Sequence, residues 1–399
     1  MSGKPASAPR SGEPRPPSAV FARSLALVSP RLPEALAGET CLRAMLAIAE
    51  LIPAPFAGIF GFESRLGEEP PEVDLAAGAA AADAGIAPLG EPGPANPLAG
   101  LFGDDPTWRS LASLARDWSC PGTPLHRRVH SVWLEFDRVC AGVARPAPGY
   151  FLGFGSDGSG TRSGRPVPPS VILAILHRAL PGQGGGFPEV RRRAQAFLDA
   201  LPAEAWVDHV GLLLPRGVPA VRMELGGMDA KGLVKCLADL GWPGSRSEAR
   251  AWLEALEPHG AELCLHLDIG TELLPKAGIQ LSFWRSPGRP VLPRWRKLLD
   301  DFTARGLCLE RKAEGLLAWG QALTGSGGPW DPGAGAQALA QGLGVCGFER
   351  RISHLKLVLD GAGAPAVKGY FGARLLPAWP GQAGLRPHPG AKDRTAGGN

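Results

Sequence analysis

Apolar and polar residues alternate with a period of two in paired segments through the second half of the chain, and stretches with amphipathic-helix spacing separate the pairs. His209 to Leu214 (HVGLLL) and Ala220 to Leu225 (AVRMEL) flank Pro215-Arg216-Gly217 and predict a hairpin. Two helices follow: Asp229 to Leu240, with Asp229 as N-cap, and Ser247 to Leu256, opened by Ser245 or Ser247. A second hairpin, Glu262 to Ile269 (ELCLHLDI) with Gly278 to Trp284 (GIQLSFW), precedes helices near Pro293 to Arg305 and Leu309 to Leu323. A third joins Arg351 to Leu359 (RISHLKLVL) with Ala366 to Phe371 (AVKGYF).

The same order, followed backwards, gives two weaker copies. Val129 to Phe136 (VHSVWLEF) pairs with Gly149 to Phe154 after a helix at Trp108 to Trp118, and Phe56 to Glu63 (FAGIFGFE) pairs with Glu72 to Ala76 after a helix at Glu39 to Leu51. Pro169 to Ala179 and Pro188 to Leu201 supply the helix pair before the hairpin at His209, which makes five ααββ units. Repeated units of this kind bury their apolar faces by stacking on one another. Each strand has one apolar face, such as Leu263, Leu265 and Leu267, and one polar face, such as Cys264, His266 and Asp268. The expectation is an α+β fold: a ten-stranded antiparallel barrel with helices outside and a wide polar lumen. An open sheet with one wet face gives the same alternation.

Composition limits the classes of function. The chain has 399 residues with 42 Lys plus Arg against 38 Asp plus Glu, so its net charge of +4 points to no polyanion-binding surface and nucleic acid is not expected. Seven cysteines, none in a C-x-x-C pair, read as reduced thiols in a cytoplasmic protein. No apolar run approaches the roughly 20 residues of a membrane span. The expected organisation is a disordered tail and lead-in over residues 1–38, a single barrel domain over 39–376, and a second loose tail over 377–399.

The five ααββ units, with Lys368 and Tyr370 as K-x-Y in VKGYF and Glu135 in VWLEFD, resemble the ABBA fold, the barrel of aromatic and peptide prenyltransferases. The resemblance lies in architecture more than in motifs. It implies a lumen that holds an allylic diphosphate among Lys, Arg and Tyr side chains. It also implies an acidic residue on an early strand, here Glu135, that orients or deprotonates the acceptor. The chain departs from the family pattern in having only Tyr150 and Tyr370, too few for a shield of tyrosines, and its other second strands offer Arg222 with Glu224 and Gln280 with Ser282 in place of K-x-Y.

Alternation places Lys368 and Tyr370 on one strand face and Lys356 with His354 on the face of the neighbouring strand. Two facing lysines repel unless an anion lies between them, so Lys356, Lys368 and Tyr370 predict a diphosphate site whose allylic carbon faces Trp133 and Glu135. A solvated edge with a snorkelling lysine also fits K-x-Y. His209, His266 and His354 hold comparable places on three first strands. With Asp268 or Glu224 they could relay protons or bind a divalent metal, although strands of a wide barrel stand too far apart for easy joint ligation. Trp133 and Trp284 offer aromatic walls for a cationic centre. Gly153 to Gly164 lacks the Gly-Lys-Ser/Thr of a phosphate loop and reads as a connector, and Arg191, Arg192 and Arg193 read as a solvated helix face.

These readings point to a transferase that moves an isoprenoid from an allylic diphosphate, its co-substrate, to an aromatic or peptide side-chain acceptor, with no metal ligands assigned. The alternatives are a divergent barrel that uses lumen His, Asp and Glu for acid–base chemistry on a peptide or small molecule, and a barrel that binds a hydrophobic ligand or peptide without reacting.

Overall fold

A computed structural model of the chain describes residues 19–80, 105–137, 147–154, 167–180, 187–214, 219–283, 291–320, 345–361 and 364–377. The strands are β1 (Ile59–Arg65), β2 (Val73–Ala80), β3 (Ser131–Phe136), β4 (Gly149–Gly153), β5 (Trp206–Leu212), β6 (Val221–Gly226), β7 (Glu262–Ile269), β8 (Leu273–Ser282), β9 (Val345–Leu359) and β10 (Ala366–Pro377). They close into one antiparallel barrel in the order β1-β10-β9-β8-β7-β6-β5-β4-β3-β2. The open-sheet alternative is therefore excluded.

Among the described residues, two helices precede each hairpin. Local chemistry starts several of them where the sequence places a cap: Asp229 accepts from the Gly232 amide at 2.7 Å and Ser245 from the Glu248 amide at 3.2 Å, opening Ala230–Asp239 and Arg246–Leu256. The first unit, read from sequence with one helix, is completed by Ala19–Val28 from the segment assigned to the lead-in. Arg23 interrupts that apolar run, but Phe21 and Leu25 are fully buried, and the Phe21 ring meets Phe60 of β1 edge-on at 5.5 Å. The expected tails at Met1 to Pro17 and beyond residue 377 lie outside the described residues, as do the turn Pro215-Arg216-Gly217 and most of the connector after Gly153.

The outward strand faces carry the core. Val221, Met223, Leu225, Leu265 and Leu267 are fully buried under the helices, and Leu263 is half-buried, as the alternation predicts. The closing seam is built the same way. Phe62 of β1 and Phe371 of β10 are register partners with ring centroids 5.3 Å apart, and Trp319 of the helix Glu310–Gly320 packs on them at 6.0 and 5.5 Å. Its indole N–H donates to the Gly372 carbonyl at 3.1 Å, which fixes the ring over the seam. Burial of each such ring contributes about 1.5–3 kcal/mol toward closure.

The small tyrosine count narrows further, and the expectation for the cysteines is corrected. Tyr150 faces the helix layer, where its hydroxyl meets Ser110 at 2.8 Å, so Tyr370 is the one lumen tyrosine of the two in the chain. Cys120, Cys236, Cys264 and Cys308 are free thiols, but Cys41 is disulfide-bonded. That removes the basis for assigning a reducing compartment from the cysteines. No helix among the described residues is long and apolar enough to cross a membrane.

Candidate functional site in the barrel lumen

The inward faces of β6 to β10 and β1 form a polar wall. Arg222 of β6 lies opposite Asp268 of β7, and its guanidinium grips that carboxylate with two hydrogen bonds at 2.7 and 2.8 Å. Burial works against the Arg222 charge, but the bonded Asp268 raises its pKa further above the usual arginine value.

Glu224 of β6 stands between two imidazoles. Its Oε2 lies 3.1 Å from His209 Nδ1 and its Oε1 lies 3.2 Å from His266 Nδ1, close enough for ion pairing although neither contact has the alignment of a straight hydrogen bond. Burial lowers both histidine pKa values. For His209 the Glu224 and Asp208 charges outweigh it and the value rises, whereas Lys356 and Arg222 help to keep His266 below the usual value. His266 Nε2 is also bound to the Gln280 amide oxygen at 3.0 Å. One carboxylate thus serves two imidazoles of opposite tendency, a pattern that separates a proton acceptor from a neutral hydrogen-bonding group.

His354, the third histidine of the expected row, is elsewhere. It stacks on the Tyr370 ring at 4.1 Å, and burial with the Lys356 charge holds its pKa well below the usual imidazole value. His354 feels the His266 and Glu224 charges but has its ring on Tyr370, and among the described residues no group of three or more His, Cys, Asp and Glu side chains is arranged to hold a metal ion.

Lys356 and Lys368 are direct cross-strand partners, as expected. The expected repulsion between them is offset by a residue the sequence reading missed. Glu63 of β1, the register partner of Tyr370, accepts hydrogen bonds from Lys368 through Oε1 and from Tyr370 through Oε2. Burial would raise the Glu63 pKa, but Lys368, Lys356 and the Tyr370 hydroxyl bring it well below the usual carboxylate range. Lys356 has no carboxylate within ion-pair distance among the described residues, and its ammonium stands 4.5 Å from the Tyr370 ring centroid. Burial pulls its pKa down to about 8; Glu63 opposes that, and Arg222 and Lys368 add to it. Arg222, His266, Asp268, Lys276, Lys356 and Lys368 help line a cavity of about 260 Å³ at this end of the lumen.

The inward face of β2 to β5 is different. Trp133 and Phe151 are register partners, and each ring lies over a neighbouring glycine: an added Cβ at Gly78 would come within 2.9 Å of the Trp133 ring, and one at Gly211 within 2.3 Å of the Phe151 ring. The absent side chains let both rings lie against the wall. Glu135 pairs across the ladder with Ala76 and Gly149, whose small size leaves it room, and its charge reaches Arg222, Lys356 and Tyr370. Trp284 lies outside the described residues. The arginine run is a helix face, with Arg192 paired to Glu189 and Arg193 donating to the Thr271 carbonyl at 3.0 Å.

Glu63 was accessible in principle. It alternates with Gly61 on the polar face of its strand, and closure of a barrel brings the first strand beside the last. Hairpin pairing alone does not bring Glu63 beside Tyr370; only the closure pairing of β1 with β10 does.

No protein-family model matches the chain, and no curated protein matches it in sequence. The crystal structure of AnaPT from Neosartorya fischeri is similar over 90% of this chain and 94% of that one, with a TM-score of 0.51 at 13% identity. That of 5-dimethylallyltryptophan synthase from Streptomyces coelicolor matches over 88% of this chain and 96% of that one, with a TM-score of 0.43 at 12% identity. The structure of 5-dimethylallyl tryptophan synthase from the same organism, in complex with DMASPP and Trp, matches over 93% and 99%, with a TM-score of 0.44 at 12% identity. The closed barrel of five ααββ units is that of the ABBA fold.

Proposed function

We propose that the barrel is a prenyltransferase-type enzyme that moves an isoprenoid from an allylic diphosphate to an aromatic acceptor, either a small molecule or a peptide side chain. The observation that carries this reading is the two-sided lumen: an aromatic wall of Trp133 and Phe151 across from a wall that holds Arg222, Lys356, Lys368 and Tyr370. An allylic diphosphate has the same division, with an apolar chain at one end and a strong multivalent anion at the other. Lys356 and Lys368 would take the diphosphate oxygens by charge-assisted hydrogen bonds, and Tyr370 would add a neutral donor. The C–O bond then breaks, pyrophosphate keeps the electron pair, and the allylic cation is stabilised over Trp133. The acceptor carbon forms the new C–C bond and loses its proton. Glu63 or Glu135 would orient the acceptor, and His209, held by Glu224, would accept that proton.

A second reading rests on the Glu224 pair. Two imidazoles with opposite pKa tendencies on one carboxylate also suit acid–base chemistry that needs no isoprenoid. Mass spectrometry of the purified protein with dimethylallyl, geranyl and farnesyl diphosphates and a panel of indoles, phenols and aromatic peptides separates the two. A mass gain of one isoprenyl unit on an acceptor, lost in Lys368→Ala, is expected. Absence of transfer by correctly folded protein, with all three donors consumed by neither transfer nor hydrolysis, would leave the second reading.

A further inference from the structure

We infer that Glu63 and the incoming diphosphate compete for Lys368 and Tyr370, so that donor binding releases the carboxylate for the acceptor and imposes an order on the two substrates. This rests on the transferase reading and adds a coupling to it.

Both Glu63 oxygens are engaged by groups suited to a diphosphate: Lys368 on Oε1 and Tyr370 on Oε2. The carboxylate is 6% exposed, and such a charge is tolerable only with strong partners. Lys368 lines the cavity, opposite Lys356, and Tyr370 follows it on the same face of the last strand. A diphosphate that reaches them brings two or more negative charges beside an existing one. At an effective dielectric near 20, two unit charges about 5 Å apart repel by roughly 3 kcal/mol, so the carboxylate and the diphosphate do not share these partners without cost. Arg65, two residues further along the same strand face and bound to Asp74 at 2.9 Å, already feels the Glu63 charge and offers it another cation. The freed carboxylate then has open lone pairs for an acceptor N–H or O–H, in the same lumen and only once the donor is present.

The competition gives one substitution two opposite effects. In calorimetric titration with inorganic pyrophosphate, Glu63→Gln is expected to bind at least tenfold tighter than the parent, with Glu63→Asp between them, because aspartate keeps the charge but is one methylene too short to reach Lys368. Isoprenyl transfer by Glu63→Gln is expected to fall at least a hundredfold. In the parent, indole affinity is expected to rise at least fivefold at saturating pyrophosphate, and in Glu63→Gln it should be the same with and without pyrophosphate. Equal or weaker pyrophosphate binding by folded Glu63→Gln and Glu63→Asp, or indole affinity in the parent that ignores pyrophosphate, would overturn the inference. If Glu63→Gln does not fold, the aspartate variant and the indole measurement on the parent decide the matter. These titrations need no turnover. Tighter pyrophosphate binding in a protein that transfers no isoprenoid would retain the competition and remove the transferase reading, whereas transfer without the affinity change would do the reverse.

Discussion

Arg222 on β6 and Asp268 on β7 stand directly opposite each other in the ladder and are joined by two parallel hydrogen bonds, at 2.7 and 2.8 Å. Both side chains are 11% exposed, so the pair is held in a poorly solvated wall and neither charge is stable there alone. Removal of one partner from such a pair costs about 3–5 kcal/mol, whereas replacement of both by apolar residues is often close to neutral. Asp268→Ala is expected to lower unfolding free energy by that amount in urea titration, and the double variant Arg222→Met with Asp268→Leu should recover most of it. A single-variant loss below 1 kcal/mol would mean that water reaches the pair freely.

The aromatic wall should set how much isoprenoid the lumen accepts. A methyl group at position 78 would meet Trp133 at 2.9 Å, closer than a real contact allows, so in Gly78→Ala the indole must swing into the lumen. The expected cost in stability is about 1–3 kcal/mol, typical of an overpacked site. The lumen becomes shallower, so the ratio of farnesyl to dimethylallyl transfer should fall at least tenfold, as read from product masses in competition. Trp133→Ala should shift the ratio the other way. An unchanged ratio in both variants would show that the isoprenoid does not lie along this wall.

Strand faces and hairpin order were legible in the sequence because they depend on local alternation, as at Cys264, His266 and Asp268, and the caps at Asp229 and Ser245 depend on one side chain each. What escaped depends on tertiary neighbours. Glu63 meets Tyr370 across more than 300 residues of chain, through a pairing that exists only once the barrel closes. The depth of the aromatic wall comes from Gly78 and Gly211 on neighbouring strands, and a glycine in sequence does not announce which ring will lie on it. Comparable places on the first strands of successive hairpins likewise put only His209 and His266 on one carboxylate, with His354 stacked on Tyr370. The ladder register shifts between Val207 and His209 and between Tyr370 and Phe371, beside two of these histidines, and sequence spacing does not reveal such shifts.

His209 should titrate in a way that reports its contact with Glu224. Its pKa is raised because the carboxylate outweighs burial, so conversion of Glu224 to Gln should lower it. If neutral His209 accepts the acceptor's proton, transfer slows as pH falls through that pKa, and Glu224→Gln should move the acidic limb to lower pH while reducing the maximum rate. NMR titration of the His209 ring in both proteins gives the pKa independently of turnover. A limb that stays in place while the ring pKa moves would assign proton acceptance to another group.

Lys356 makes a prediction for stability against pH. Its ammonium is buried, and its pKa of about 8 lies below the ordinary lysine value of 10.5, so the folded state disfavours the charge that the unfolded chain carries freely. Between pH 8 and 10.5 the unfolded state binds more protons at this site, and folding stability from it therefore rises with pH across that window. The full difference corresponds to roughly 3 kcal/mol, since each unit is about 1.4 kcal/mol. Lys356→Met removes the site, so the variant is expected to be more stable than the parent near pH 7, with a gap that narrows steadily as pH is raised from 8 to 10.5. Urea unfolding of the two proteins at half-unit intervals, compared as a difference so that other titrating groups cancel, measures this directly. A gap independent of pH would mean that Lys356 keeps an ordinary pKa in the folded barrel, and a gap that widens with pH would mean that the Glu63 charge outweighs burial and lifts the pKa above the ordinary lysine value.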